Sequence, residues 1–137
     1  MARVRRVTKT LSAENAGDRA LRVVRAAGGR VTSCTRTVVA TLADSTDHLT
    51  AEDLIAEVES RLPGVAASTV YRVIQRLSEL DLVEHVHTSV GPPIYHLHER
   101  GHAHLVCNGC GVISDISDRH LNGLTQTLTR QFEFTLE

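Results

Sequence analysis

Residues 67–83 read ASTVYRVIQRLSELDLV, and this stretch decides the fold of the first part of the chain. Its apolar residues recur at intervals of three and four, which predicts an amphipathic helix with Ser68 as its N-cap. The apolar face comprises Val70, Val73, Ile74, Leu77 and Leu80, and the opposite face comprises Tyr71, Arg72, Gln75, Arg76 and Glu79. Tyr, Arg and Gln side chains can reach phosphates and base edges in a DNA major groove. Many helices expose such side chains only to water, so this helix alone leaves both interpretations open.

Three further helices are predicted upstream. The first lies within residues 16–32 and ends at a pair of glycines, the second covers residues 33–44, and the third begins at Thr50, whose hydroxyl can cap the first amides. Their inward residues are predicted to be Leu21, Val24 and Ala27, then Val38, Val39 and Leu42, then Leu54, Ile55, Val58 and Leu62. The third helix ends at the Pro63-Gly64 break. Short helices, a break and a helix that exposes Arg and Gln are typical of a helix-turn-helix.

Alternating strands follow the fourth helix. Residues 82–87, LVEHVH, and residues 93–98, PIYHLH, change from helical to period-two spacing and are joined by a turn that contains Gly91 and two prolines. A hairpin directly after a recognition helix predicts a winged helix, whose wing commonly rests on the phosphate backbone. The sequence therefore favours DNA binding by the first unit, residues 1–98.

A second, smaller α+β unit is predicted over residues 99–137. It contains two strands, GHAHLVC and GVISDIS, around the Cys107-x-x-Cys110 pair, then a helix over residues 118–132 and a short extended end. Because a unit of so few residues leaves much apolar surface uncovered, we expect two chains to pair through it as a homodimer. The predicted fold class is α+β: an N-terminal winged helix-turn-helix domain followed by a small α+β dimerisation domain.

Composition narrows the class of protein. The 137 residues are 42% hydrophobic and 3% aromatic, with a net charge of −1, and basic residues are concentrated before residue 83. The first unit can thus face a polyanion. No signal peptide or membrane-spanning run is predicted, which favours a cytoplasmic protein without a membrane partner. Three cysteines, two of them as C-x-x-C, indicate a metal half-site or redox pair in a reducing compartment rather than a disulfide framework.

The ordered motifs resemble the ferric uptake regulator family of bacterial metal-dependent transcription factors. The segments that carry the resemblance are HLTAEDLIAEV, STVYRVIQRLSELDLVEHV, YHLHERGHAHLVCNGC and GVISDI, and it extends from about residue 20 to the end of the chain. It implies a dimeric repressor of metal homeostasis genes that binds double-stranded inverted-repeat operator DNA, with a divalent metal as corepressor. The DNA-binding residues expected on this basis are Ser68, Thr69, Tyr71, Arg72, Gln75 and Arg76, with Arg22 and Arg36 near the backbone.

Half of the eight histidines lie in residues 94–110. His102 and His104, two residues apart on a predicted strand, can converge on one ion, and His96 from the preceding strand can join them. The resemblance adds His48 from the DNA-binding unit and Asp115, an acidic ligand in some members. A metal held by both units would favour the one interdomain angle that suits the operator.

A second pair, His85 and His87, shares one face of the wing and resembles a nickel site of the family's nickel-responsive branch. Iron-type members place ligands where this chain has Gly101 and Ala103, and zinc-responsive members often use a cysteine where this chain has none. We therefore expect nickel, or zinc, with iron(II) as an alternative. The alternative functions are a zinc- or iron-uptake regulator and an iron-loaded peroxide-sensing repressor. A solvated, non-binding pair remains an alternative for His85 and His87.

The cysteines leave several possibilities open. Many family members complete a zinc site with a second C-x-x-C pair, which would follow residue 137. For Cys107 and Cys110 the alternatives are a chain without the family's C-terminal tail, zinc with other ligands, a disulfide, or no metal. Cys34 is predicted to be a small packing residue, with an oxidation sensor as the alternative. A metallohydrolase is disfavoured because no helix carries an H-E-x-x-H motif, and neither an enzyme nor a small organic substrate is expected.

Overall fold

The computed structural model describes residues 15–45, 49–87, 91–98 and 102–133. Its elements in chain order are the helices and strands α1 Ala16–Ala26, α2 Ser33–Asp44, β1 Leu49–Thr50, α3 Ala51–Arg61, α4 Ala67–Glu79, β2 Val83–Val86, β3 Ile94–Leu97, β4 His102–Val106, β5 Ile113–Ser117 and α5 Asp118–Phe132. Helices combined with two small antiparallel sheets confirm the predicted α+β class. In the described part of the chain, no helix has the length and apolarity to cross a membrane.

The starts of α1, α2 and α3 carry side-chain caps, whereas those of α4 and α5 do not. The Oγ1 of Thr50 accepts the amide of Asp53 at 3.1 Å, and the Asp53 carboxylate accepts the amide of Thr50 at 3.2 Å, which confirms the predicted start of α3. The predicted cap of α4 was wrong. This helix has Ala66 as its N-cap and no side-chain cap, and Ser68 lies exposed in its first turn. A polar residue two positions inside a helix start resembles a cap in sequence, which explains the error.

One core unites α1 to α4 with the first sheet. Leu54, Val38, Val58 and Val70 are completely buried, and Ile74 and Leu77 lie beside them, so the predicted apolar faces of α2, α3 and α4 are confirmed at these positions. In α1 the buried residues are Gly17, Ala20 and Val24, and Leu21, predicted inward, is partly buried against the core. Ala27, also predicted inward, is exposed because the helix ends at Ala26.

The glycine stop after α1 has a geometric cause. Gly28 adopts a φ of +75°, which favours glycine. At Gly29 a Cβ atom would lie 2.9 Å from the carbonyl oxygen of Val24, so a side chain there would collide with the helix. The predicted end of the first helix is thus confirmed.

The first sheet has the order β1-β3-β2, with both pairs antiparallel. The β2–β3 hairpin confirms the predicted wing, while the two-residue β1 was not predicted. In the hairpin, Glu84 lies opposite His96 and His85 opposite Tyr95. This register decides which side chains of the wing can meet.

The second sheet pairs β4 with β5, and α5 follows directly. His104 lies opposite Asp115, and His102 opposite Ser117. None of the residues of α5 is buried. The predicted extended end falls on residues 133–137, of which only Glu133 lies within the described residues, as the C-cap of α5.

Candidate metal centre and nucleic-acid interface

Imidazole and carboxylate side chains lie in a row from the wing hairpin to the second sheet; the row comprises Glu84, His96, His104 and Asp115. On β3, the Nδ1 of His96 lies 3.1 Å from the carbonyl oxygen of Leu97. Because a carbonyl can only accept, this nitrogen carries a proton, and in the neutral ring the lone pair lies on Nε2. That Nε2 lies 3.7 Å from the Oε2 of Glu84 on β2. An imidazole lone pair and a carboxylate thus approach the same point.

The row of side chains continues on β4 with His104. The rings of His96 and His104 are 4.3 Å apart between centroids and tilted by 49°. The Nε2 of His104 lies 3.2 Å from the Oδ1 of Asp115, which follows from the β4–β5 register. Side chains of the first sheet and of the second sheet therefore touch at His96 and His104.

Two of the expected ligands lie wholly or partly outside the described residues. His48 lies outside the described residues. His102 occupies β4 with its backbone paired to Ser117, but its side chain lies outside the described part. Five residues are expected to hold a metal between the two units, and we call this set the hinge site. Of these, the structure brings together His96, His104 and Asp115.

Sequence reasoning missed Glu84 and His98. The Nδ1 of His98 contacts the Oε1 of Glu84, and the backbone amide of His98 extends the hairpin ladder to the carbonyl of Leu82 at 2.9 Å. The available signal was the spacing of His96 and His98, two residues apart on a strand. The role of Glu84 could be recognised only from the strand register, which places it opposite His96.

The donors fit a transition metal in type and approximate spacing. Two ligands at about 2.0–2.1 Å from a tetrahedral zinc ion are about 3.4 Å apart, close to the 3.7 Å between His96 Nε2 and Glu84 Oε2. Imidazole with carboxylate suits zinc, nickel and iron. Across the described residues, no three His, Cys, Asp or Glu side chains are already arranged to hold an ion.

The wing carries the second histidine pair. The rings of His85 and His87 are 5.0 Å apart and nearly perpendicular, and the ring of Tyr95 lies 6.1 Å from that of His85. Both histidines are exposed. The two side chains lie close enough to approach one ligand, and Tyr95 borders them.

The Cys107-x-x-Cys110 turn joins β4 to β5 as a tight knuckle. The amide of Cys107 donates to Val112 at 2.8 Å, and the amide of Gly111, whose φ is +73°, donates to the carbonyl of Cys107 at 2.8 Å. Backbone hydrogen bonds from Cys110 and then Gly109, followed by one from the Cys110 side chain, lower the pKa of the Cys107 thiol. Stabilisation of a thiolate is what a metal half-site requires.

Cys34 has the opposite environment. It is 6% exposed within the core, and burial raises the pKa of its thiol. The predicted packing role of Cys34 is confirmed, since a buried thiol with a raised pKa is poorly placed to react with oxidants.

The outer face of α4 is available to a partner. Every residue expected to contact DNA on this helix is exposed: Ser68, Thr69, Tyr71, Arg72, Gln75 and Arg76. Arg22 on α1 and Arg36 on α2 are exposed too. No side chain caps the first turn of α4, and helix N-termini bind phosphate.

Comparison with known proteins agrees with this architecture. The Helicobacter pylori ferric uptake regulator, whose structure is described as having three functional metal-binding sites, superposes with a TM-score of 0.75 over 96% of this chain and 88% of its own, at 20% identity. The Pseudomonas aeruginosa ferric uptake regulator with manganese gives a TM-score of 0.70 over 85% and 89%, at 25% identity. The predicted two-part fold is confirmed by these likenesses.

Sequence comparison identifies the family. The chain is 32% identical to the Bacillus subtilis ferric uptake regulation protein over 74% of this chain and 70% of the relative. It is 30% identical to the Mycobacterium tuberculosis zinc uptake regulation protein over 80% and 85%. The model of the "Ferric uptake regulator family" matches residues 26–137. The chain therefore belongs to the ferric uptake regulator family, a family of transcription regulators.

Proposed function

We propose that the protein is a metal-dependent repressor that acts in the cytoplasm as a homodimer on inverted-repeat operator DNA, with metal as corepressor. The observation that carries this proposal is the meeting of His96 from the wing hairpin with His104 from the second sheet, 4.3 Å apart between ring centroids. Donor side chains from two parts of the fold lie at one place. A ligand that binds both favours one arrangement of the two parts over the others.

We assign the hinge site to His48, His96, His102, His104 and Asp115, and we add Glu84 and His98. Glu84 is supported by its approach to His96 Nε2 and by its contact with His98. A bound divalent metal would supply positive charge that links these donors. Neighbouring groups orient the two imidazole rings. The carbonyl of Leu97 accepts from the Nδ1 of His96, and the carboxylate of Asp115 lies against the His104 ring.

The DNA interface in this proposal is the exposed face of α4 with Arg22 and Arg36 beside it. Arg72 and Gln75 reach base edges, and the first turn of α4 receives a phosphate. The wing, which follows α4 directly, rests on the neighbouring backbone.

The partner of the second unit is a second copy of the chain. Four large apolar side chains are at least half exposed here: Leu105 at 56%, Val112 at 50%, Leu124 at 54% and Phe132 at 60%. All belong to the β4–β5 hairpin, its turn and α5. Such a concentration on a small unit whose described residues include no buried side chain marks a protein interface.

Nickel is the proposed metal, and nickel uptake the proposed regulated process. His85 and His87 support it, since their rings lie 5.0 Å apart on the wing and could take a nickel ion. Zinc and iron(II) are the alternatives, and the names of the similar B. subtilis and M. tuberculosis proteins refer to iron and zinc uptake. Cys107 and Cys110 would supply half of a structural zinc site.

A second candidate is an iron-loaded peroxide sensor. The contact of His104 with the Asp115 carboxylate, at 3.2 Å, favours it, because mixed imidazole and carboxylate ligands suit iron(II). The peroxide-responsive repressor of Staphylococcus aureus is 21% identical over 90% of this chain. In this case mild peroxide would abolish DNA binding by the iron-loaded protein and leave the nickel-loaded protein unaffected.

The test is a titration of the stripped protein with nickel, zinc or iron(II), followed by fluorescence anisotropy on DNA from its own promoter. We expect the protein to bind this DNA only when metal is present, and we expect the affinity to fall as the salt concentration rises. Restoration by nickel at the lowest free concentration supports the nickel assignment, and equal restoration by zinc or iron removes it. DNA binding that is indifferent to every metal would overturn the proposed corepressor role.

A further inference from the structure

A carboxylate lies within the proposed DNA face. Glu79, the last residue of α4, is reached by two side chains of the same helix face. The Nε2 of Gln75 donates to its Oε1 at 3.4 Å, and the Nη1 of Arg76 donates to its Oε2 at 3.3 Å. Two of the six α4 side chains proposed to contact DNA are therefore already occupied by an acceptor of their own helix.

The position of this carboxylate is unfavourable for DNA binding. A negative charge beside Arg76 opposes the phosphates that Arg76 would approach, and the guanidinium must leave Glu79 before it can contact a phosphate. The pair is weak enough to break, because both side chains are about half exposed, 49% for Arg76 and 52% for Glu79. The loss is small, and it arises wherever Arg76 has to leave Glu79 to contact a phosphate.

Operator and non-operator DNA depend to different extents on the release of Arg76. Non-operator DNA offers phosphate contacts alone, whereas an operator adds base contacts that other side chains of α4 can make while Arg76 stays paired with Glu79. An element that weakens binding to wrong partners contributes to specificity as much as one that strengthens binding to the right partner.

We propose that Glu79 is a specificity-determining residue that occupies Arg76 in place of a phosphate and thereby suppresses binding to non-operator DNA. The proposal rests on the DNA-binding function proposed above. Direct reading of a cytosine amino group by Glu79 is the competing role, and it makes the opposite prediction.

The first experiment compares Glu79→Gln with Glu57→Gln in the full, metal-loaded protein. Glu57 on α3 is a matched control, since it is 54% exposed, lies 3.8 Å from the Nε of Arg61 and carries the same charge. Anisotropy is measured on a labelled mixed-sequence duplex and on promoter DNA across a range of salt. We expect Glu79→Gln to bind the mixed duplex about two- to fivefold more tightly, the range of an exposed ion pair. Its gain on promoter DNA is expected to be smaller, and its salt slope steeper by about 0.9 for one added phosphate contact.

A double-mutant cycle separates release of Arg76 from a general change in charge. In an Arg76→Ala background, most of the gain from Glu79→Gln is expected to disappear. A gain that persists there, or an equal gain in Glu57→Gln, would overturn the proposal, and so would weakened promoter binding with unchanged binding to the mixed duplex. Wild-type protein that binds no DNA with any metal would defeat the proposed function itself, an outcome distinct from these.

Discussion

The two parts of the molecule differ in how they bury their apolar side chains. In α2, α3 and α4, residues such as Val38, Leu54 and Val70 are fully inaccessible to solvent. In the second unit, α5 buries none of its residues, and Leu124 and Phe132 are more than half exposed. The first unit is therefore stabilised within one chain, whereas the second exposes apolar side chains that a partner surface would cover in the proposed dimer. The same kind of amphipathic helix contributes to a core in one case and, in the proposed dimer, to an interface in the other.

The largest effect is expected from a cavity in the first unit. Leu54→Ala removes a completely buried side chain between α3 and its neighbours, and such changes destabilise by about 2–5 kcal/mol. The free energy of unfolding by urea would show this loss. Leu124→Ala is the matched control in α5, and we expect it to leave the stability of the first unit unchanged. Equal destabilisation by the two substitutions would contradict the contrast between core and interface.

A charge on α5 is expected to affect assembly instead. Leu124→Glu would place a carboxylate in the proposed apolar interface and raise the dimer Kd by about 30-fold or more, because a central apolar contact is commonly worth about 2 kcal/mol. Sedimentation velocity over a concentration series would measure it. Gln126→Glu adds the same charge to another exposed position of α5 and should leave the dimer intact. An undisturbed dimer in Leu124→Glu would move the interface elsewhere.

The contact between the two parts gives the next effect. His104→Ala removes the ring that meets His96 and lies against Asp115, and loss of a hinge ligand should weaken metal affinity by at least about 10- to 100-fold, the range for partners of metal ligands. Competition with a chelator would report the affinity, and the mutant should remain dimeric. His85→Ala tests the wing pair in the same assay. If only His85→Ala lowered nickel affinity, the metal site would lie on the wing rather than between the units.

Local patterns were sufficient for most of the fold. The helix over residues 118–132 was predicted at both ends, since the alternation in GVISDIS changes to helical spacing at Asp118. The α4 face and the wing hairpin were predicted for the same reason. The two-residue β1 could not be, because a strand of that length has no period. Ser68 was wrongly assigned as a cap because the sequence does not show that the chain becomes helical at Ala67.

The candidate site depended more on contacts distant in sequence. His96, His104 and Asp115 could be selected from residue type and family resemblance, and the structure brings them together. Glu84 could not, since its role depends on the register that places it opposite His96. The Glu79 contacts are local, at spacings of three and four residues, and were predictable from the helix period. The prediction assigned Glu79 only to the outer face and did not consider its pairing with Arg76.

The smallest effect concerns how the two units start their helices. In α3, hydrogen bonds from the Thr50 side chain and backbone lower the pKa of Asp53, whereas no side chain caps α5. A carboxylate whose pKa is lower in the folded state stabilises the protein above the unfolded pKa of about 3.9, and the stabilisation is lost as the pH falls through the folded value. Asp53→Asn should therefore be slightly less stable than wild type near neutral pH, and the difference should shrink in acid.

Urea unfolding of wild type and Asp53→Asn at a series of pH values would measure that difference, with Glu52→Gln as the control. Glu52 lies in the same helical turn, so it shares the general attraction of a negative charge to the helix start. The capping box specifically involves Asp53. If the two variants lost the same stability with the same pH dependence, the helix dipole alone would account for the effect. A larger, acid-sensitive loss in Asp53→Asn would instead show that the first unit fixes the start of α3 through its own side chains.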